Sequence, residues 1–77
     1  MSDMDTVGGR LRTYRQLRGL TQRQLSIAAN LDTMTVWRAE NNKTSPTLLT
    51  LIDLAKALDV PIGAIAGTET YLPEEAA

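Results

Sequence analysis

The sequence has neither cysteine nor histidine. The first absence rules out a disulfide framework and a thiolate zinc site. The second removes imidazole acid–base chemistry and imidazole metal ligation. There is no glycine-rich phosphate loop, and no stretch projects paired carboxylates, so neither an enzyme nor a cofactor or metal site is expected. No apolar run approaches the roughly 18 residues needed to span a bilayer. The acidic opening Met1-Ser2-Asp3-Met4-Asp5 lacks the apolar segment of a signal peptide, which makes a cytoplasmic protein the default expectation. Phenylalanine is also missing, leaving one Trp and two Tyr as the aromatic residues. A chain of 77 residues allows one small domain, which must be well packed or oligomeric to be stable.

What is present is ordinary for a soluble globular domain: 43% hydrophobic and 22% charged residues, with a formal net charge of −1. The charge is unevenly placed. Residues 10–43 hold Arg10, Arg12, Arg15, Arg18, Arg23, Arg38 and Lys43 against Asp32 and Glu40, a balance of +5. From residue 44 onward only Lys56 opposes Asp53, Asp59, Glu69, Glu74 and Glu75, a balance of −4. Affinity for a polyanion depends on a local basic face rather than on the total. The asymmetry is therefore compatible either with nucleic-acid binding or with arginines that simply solvate helix faces.

Apolar periodicity and capping signals predict five short helices over residues 7–18, 22–29, 33–41, 46–58 and 62–66, and hence an all-α domain. Thr6 is placed to cap the first, and Gly19 to stop it. Its inner stripe is Val7, Leu11, Tyr14 and Leu17; Gly8 and Gly9 in its first turn predict fraying as far as Arg10. Thr21-x-x-Gln24 is a capping box for the second helix, whose apolar face is Leu25 and Ala29. Asn30 tolerates the left-handed conformation that ends a helix, and Asp32 is an N-cap candidate for the third. That third helix turns Val36, Ala39 and Glu40 inward and Thr33, Met34, Trp37, Arg38 and Asn41 outward. Ser45-Pro46 reads as the start of the fourth, with Leu48, Leu51, Ile52, Leu54, Ala55 and Leu58 on its core face. Pro61 opens the last helix, in which Ile62 and Ile65 face inward, and Gly67 closes it. The domain spans residues 6–67, between a flexible tail at 1–5 and a C-terminal arm or tail at 68–77.

Two charges border apolar stripes: Arg15 follows Leu11 by one turn, and Glu40 follows Val36 in the same way. They are expected to form one partly buried structural ion pair rather than a catalytic one.

Leu20-Thr21-Gln22, Leu25, Ala29-Asn30-Leu31, Val36, Arg38, Glu40 and Asn41-Asn42-Lys43-Thr44-Ser45-Pro46-Thr47 together resemble the phage-repressor-like (Xre/Cro-type) helix-turn-helix family over residues 7–66. Three positions depart from its pattern: Asn30 replaces the turn glycine, Ser26 a small alanine, and Asn42 the loop glycine. Asn tolerates positive φ; Ser26 is small enough for close helix approach but must place its hydroxyl. The resemblance implies a compact five-helix lambda-repressor-like domain that regulates transcription, most simply as a repressor. It implies a homodimer on a palindromic double-stranded DNA site, with helix 33–41 in the major groove. It also assigns Arg15 and Glu40 to a pair tying the first helix to the recognition helix.

Base contacts are then expected from Thr33, Met34, Trp37 and Arg38, and phosphate contacts from Gln22, Arg23, Thr35, Asn41, Asn42 and Lys43. Arg38 can donate twice to a guanine, Thr33 can hydrogen-bond or touch a thymine methyl, and Met34 can only make apolar contact. Trp37 is open to three readings: stacking on thymine methyls or sugar, contact with a protein partner, or burial in the core. Asp32 is explained as a cap, or else accepts from cytosine. Gln22 is either a phosphate contact and brace or an exposed polar residue. A dimer or partner interface is expected around Ile62, Ala64, Ile65, Tyr71 and Leu72. Ile27 and Leu49 are apolar where such domains carry charge. They leave open a partner-binding protein of antitoxin type that also regulates its own promoter.

Overall fold

The computed structural model describes residues 3–71, so the expectations for Leu72 and the rest of 72–77, and for residues 1–2, lie outside it. A 3-10 turn, Asp3–Asp5, leads into α1 (Val7–Leu17), α2 (Gln22–Ala29), α3 (Thr33–Glu40), α4 (Leu48–Leu58) and α5 (Ile62–Ala66). No strand occurs among the described residues, and no helix there is long and apolar enough to cross a membrane. The core is continuous across all five helices. It comprises Leu11 and Tyr14 from α1, Leu25 and Ala29 from α2, Val36 and Ala39 from α3, Leu54, Ala55 and Leu58 from α4, Val60, and Ala64 and Ile65 from α5.

Local chemistry explains the boundaries. The Thr6 hydroxyl accepts from the Gly9 amide at 2.9 Å and starts α1. The two glycines do not fray the helix; they are buried because neighbouring backbone occupies the space a side chain would need. A Cβ on Gly8 would collide with the carbonyl oxygens of Ala39 and Glu40, and one on Gly9 with the backbone of Asp3. The opening residues 3–5, expected as a loose tail, form instead a turn packed on α1. Leu17 ends α1 and is 46% exposed, outside the stripe assigned to it.

Helix α4 begins at Leu48, two residues later than expected. Its N-cap is Thr47, whose hydroxyl accepts from the Thr50 amide at 3.2 Å, so Ser45 and Pro46 belong to the loop. Half-buried Pro46 lines a shallow cleft with Val7 and Leu51. The shift takes Leu48 off the core face: it is 66% exposed, and Leu49 is 73% exposed.

Two arginines are used inside the fold. Arg10 donates to the carbonyl oxygens of Ile65 (2.7 Å) and Ala66 (3.3 Å) at the end of α5, and to that of Met4 (2.7 Å). Arg18 donates to those of Leu58 (2.7 Å) and Asp59 (2.9 Å) at the end of α4. Both meet the unpaired carbonyls and negative dipole end that every helix leaves at its C-terminus.

After α5, residues 68–71 return to the body; the rest of the arm or tail expected at 68–77 lies outside the described residues. The Tyr14 hydroxyl donates to the Tyr71 carbonyl at 2.7 Å, and the two rings lie 6.2 Å apart. The interface expected around α5 is therefore largely interior. Ala64 and Ile65 are fully buried, and Ile62 and Tyr71 are half-buried against the same core.

Burial, reinforced by the neighbouring Tyr71 and opposed by Arg10, pushes the Tyr14 phenol above its ordinary value. The folded state holds that proton more tightly than the unfolded chain does. The resulting stability is complete below the ordinary tyrosine value of about 10 and is lost as pH rises through the raised one. Thermal midpoints measured from pH 8 to 11 should fall above about pH 10, and Tyr14→Phe should flatten that fall. Parallel profiles for the two proteins would contradict the assignment.

Candidate nucleic-acid interface

The geometry of α2 and α3 is set by a turn of three residues. At the start of α2, the Thr21 hydroxyl accepts from the Gln24 amide at 3.0 Å and the Gln24 side chain accepts from the Thr21 amide at 2.9 Å. At its end Asn30 adopts φ 57° and ψ 47°, the left-handed conformation required there. Asp32 has the extended backbone of an N-cap, but its carboxylate makes no capping hydrogen bond. Leu25, Ala29, Val36 and Ala39 seal the inner faces.

Glu40, at the end of α3, fixes the rest. Its side chain has no solvent exposure, and the paired Arg15 side chain only 12%. The Arg15 guanidinium engages both carboxylate oxygens, through Nε to Oε2 and Nη2 to Oε1 at 3.0 Å, while its Nη1 donates to the Leu20 carbonyl at 2.8 Å. Gln22 Nε2 donates to Glu40 Oε1 at 3.1 Å, bracing the start of α2 against the end of α3. Arg12 adds a longer contact, Nε to Oε1 at 3.6 Å. The role of Arg12 was legible in principle: it precedes Arg15 by three residues, on the same helix surface.

Braced in this way, α3 exposes one side. Met34 is 53% and Trp37 42% exposed, and Arg38 is exposed as well, while Thr33 and Thr35 are half-buried. The core reading of Trp37 is thereby excluded. Thr33 is tied to α2: its hydroxyl lies 3.1 Å from that of Ser26, which is 2% exposed and donates to the Arg23 carbonyl at 2.7 Å. The Asn41 amide donates to the Trp37 carbonyl at 2.9 Å.

Asn42 differs from its expected role. At φ 56°, it turns its side chain toward α1, accepting from the Gly8 amide at 3.0 Å and donating to the Thr6 hydroxyl at 3.2 Å. That side chain joins the loop to the first helix. Lys43 lies three residues past the end of α3, its amide bonded to the Arg38 carbonyl at 2.9 Å. Arg23 follows Gln22 in α2 and is exposed. Arg23, Arg38 and Lys43 form no ion pair among the described residues, in contrast to Arg12 and Arg15. Of the basic residues in 10–43, these three are the ones the fold does not use. No group of His, Cys, Asp or Glu able to hold a metal occurs among the described residues.

Two helices joined by a left-handed Asn turn, the second displayed and the first bracing it, define a helix-turn-helix. The helix-turn-helix family pattern matches residues 11–65. The chain is 42% identical over 72 residues to the immunity repressor protein of Bacillus phage phi105, covering 94% of this chain and 50% of that protein. It thus spans about half the length of that curated relative. Its fold is similar to that of the restriction-modification controller protein C.AhdI from Aeromonas hydrophila, with a TM-score of 0.75 and 32% identity over 77% of this chain and 89% of the other. The chain belongs to the phage-repressor-like helix-turn-helix family, whose members are DNA-binding transcriptional regulators and not enzymes.

Removing one partner of the Arg15–Glu40 pair would strand a buried charge. Glu40→Ala should cost about 3–5 kcal/mol, read from urea unfolding midpoints. A loss below about 1 kcal/mol, the range of exposed pairs, would show that the pair does not hold α3.

Proposed function

We propose that this chain is a transcriptional repressor that binds a palindromic double-stranded operator as a homodimer, with α3 in the major groove. The observation that carries the reading is the displayed side of α3, held rigidly from behind and flanked by the cations the fold leaves unused. A major groove admits an α-helix and presents a distinct donor and acceptor pattern for each base pair. Arg38 suits a guanine, whose O6 and N7 can accept two hydrogen bonds from its guanidinium. Met34 and Trp37 supply apolar contact to thymine methyls or sugar. Thr33 lies in the first turn of α3, the part of a recognition helix that meets base edges. Arg23 and Lys43 face phosphates, with Gln22, Thr35 and Asn41 as polar contacts that set register without reading sequence. The name of the phi105 relative supports the repressor assignment, and the controller neighbour supports regulation more broadly. A partner-binding role of antitoxin type draws on a separate observation, the exposed apolar side chains of Ile27, Leu48 and Leu49.

Selection of bound duplexes from a random pool should enrich a palindrome with half-sites about one helical turn apart. Arg38→Ala should relax preference at one base pair per half-site by roughly 1–3 kcal/mol. A dimer presenting Arg23 and Lys43 twice should show a slope of log affinity against log salt of roughly −3 to −4. Enrichment of no sequence above a salt-sensitive background would overturn the operator reading. Co-purification of a stoichiometric second protein, together with that result, would favour the partner-binding one.

A further inference from the structure

The hydrogen bonding between α2 and α3 fixes which way the Thr33 hydroxyl points its proton. Ser26 Oγ lies 2.7 Å from the Arg23 carbonyl oxygen, an atom with no proton to give. The proton in that contact is therefore Ser26's own, and a hydroxyl has only one. The second contact of Ser26 Oγ, with Thr33 Oγ1 at 3.1 Å, must then be filled by the proton of Thr33. Ser26 is 2% exposed, so water does not offer it another arrangement. Thr33 donates inward, and what remains on its outer side is a lone-pair oxygen and a methyl group.

Resting on the operator reading, we infer that Thr33 is a specificity-determining residue that reads a base as an acceptor only. In the major groove the hydrogen-bond donors are the amino groups of adenine N6 and cytosine N4; guanine N7 and O6 and thymine O4 are acceptors. An inward-donating Thr33 matches an adenine or cytosine amino group. It repels guanine and thymine edges, and phosphate oxygens for the same reason. To read an acceptor, Thr33 would have to turn its proton outward and leave two oxygens facing each other 3.1 Å apart. The loss of one neutral hydrogen bond corresponds to roughly three- to tenfold discrimination. Ser26 is thus a positioning residue, setting from inside the protein the polarity of a group on its surface.

The test uses the selected operator and the full chain. Thr33→Val, close in shape but without the hydroxyl, locates the base pair that Thr33 reads. At that pair the wild-type protein should prefer an amino-bearing base. Replacing adenine by 2-aminopurine, or cytosine by a pyrimidinone lacking the N4 amino group, should weaken wild-type binding roughly three- to tenfold and Thr33→Val binding hardly at all. Ser26→Ala releases the Thr33 proton, and should narrow the preference at that pair by more than at any other. The wild-type arm of the analogue measurement, run at each adenine and cytosine of the half-site in turn, holds whether or not the variants fold well. Undiminished binding to the amino-free analogues, or an unchanged preference in a folded Ser26→Ala, would overturn the inference and leave the operator reading standing. So would a uniform loss across all sequences in Thr33→Val, which marks a phosphate contact. Failure of the wild-type chain to select any sequence would overturn both.

Discussion

The Glu40 carboxylate lies wholly out of solvent at the end of the displayed helix. A charge there would cost several kcal/mol if it stood alone. Its compensation comes from two other helices: Arg15 and Arg12 of α1, and Gln22 of α2. Each donor has a direction, so together they fix the angle and the depth of α3, which an apolar contact of the same volume would not. The planar guanidinium of Arg15 also ties the α1–α2 connection through the Leu20 carbonyl. Freedom on the outer side of α3 is then confined to rotamers of Met34, Trp37 and Arg38. A sequence reader gains most from this kind of support, because a side chain misplaced by an ångström no longer meets its base edge.

The same economy explains how a chain with a pI near 5.2 can present a basic end to DNA. Arg10 and Arg18 close the C-termini of α5 and α4, and Arg15 neutralises Glu40. The cations left over are Arg23 in α2, Arg38 on α3 and Lys43 three residues past it, the ones available to the proposed operator contact. Positive charge in the first half of the chain is therefore mostly architectural, and only a minority of it bears on binding. A count of arginines by itself overstates the interface.

The helix-turn-helix was legible because its signals are local. A capping box, an Asn able to take positive φ, and apolar residues three or four apart each follow from chemistry within a few residues. The Arg15–Glu40 pair was legible because both charges stand one turn from apolar residues on helices that must pack. What was not legible depends on distant backbone. Gly8 and Gly9 looked like weak helix formers, whereas they admit the carbonyls of residues 39–40 and the backbone of Asp3. The start of α4 was misplaced because Ser45-Pro46 and Thr47 are both good caps, and the packing of Pro46 beside Val7 and Leu51 decides between them. Asn42 appeared to be a surface donor until the loop brought it against Thr6 and Gly8. Ala64 and Ile65 are expected at an interface, although Ile65 also reads as inward-facing; a helix of five residues this small buries both.

The central claim, that α3 is the surface that meets DNA, is tested most directly by mapping amide and indole shifts in the labelled chain as a selected duplex is added. The account predicts the largest changes at Thr33, Met34, Trp37 and Arg38, with a second group at the start of α2 around Gln22 and Arg23. Changes centred instead on Ile27, or on Leu48 and Leu49 at the start of α4, with α3 unaffected, would contradict it.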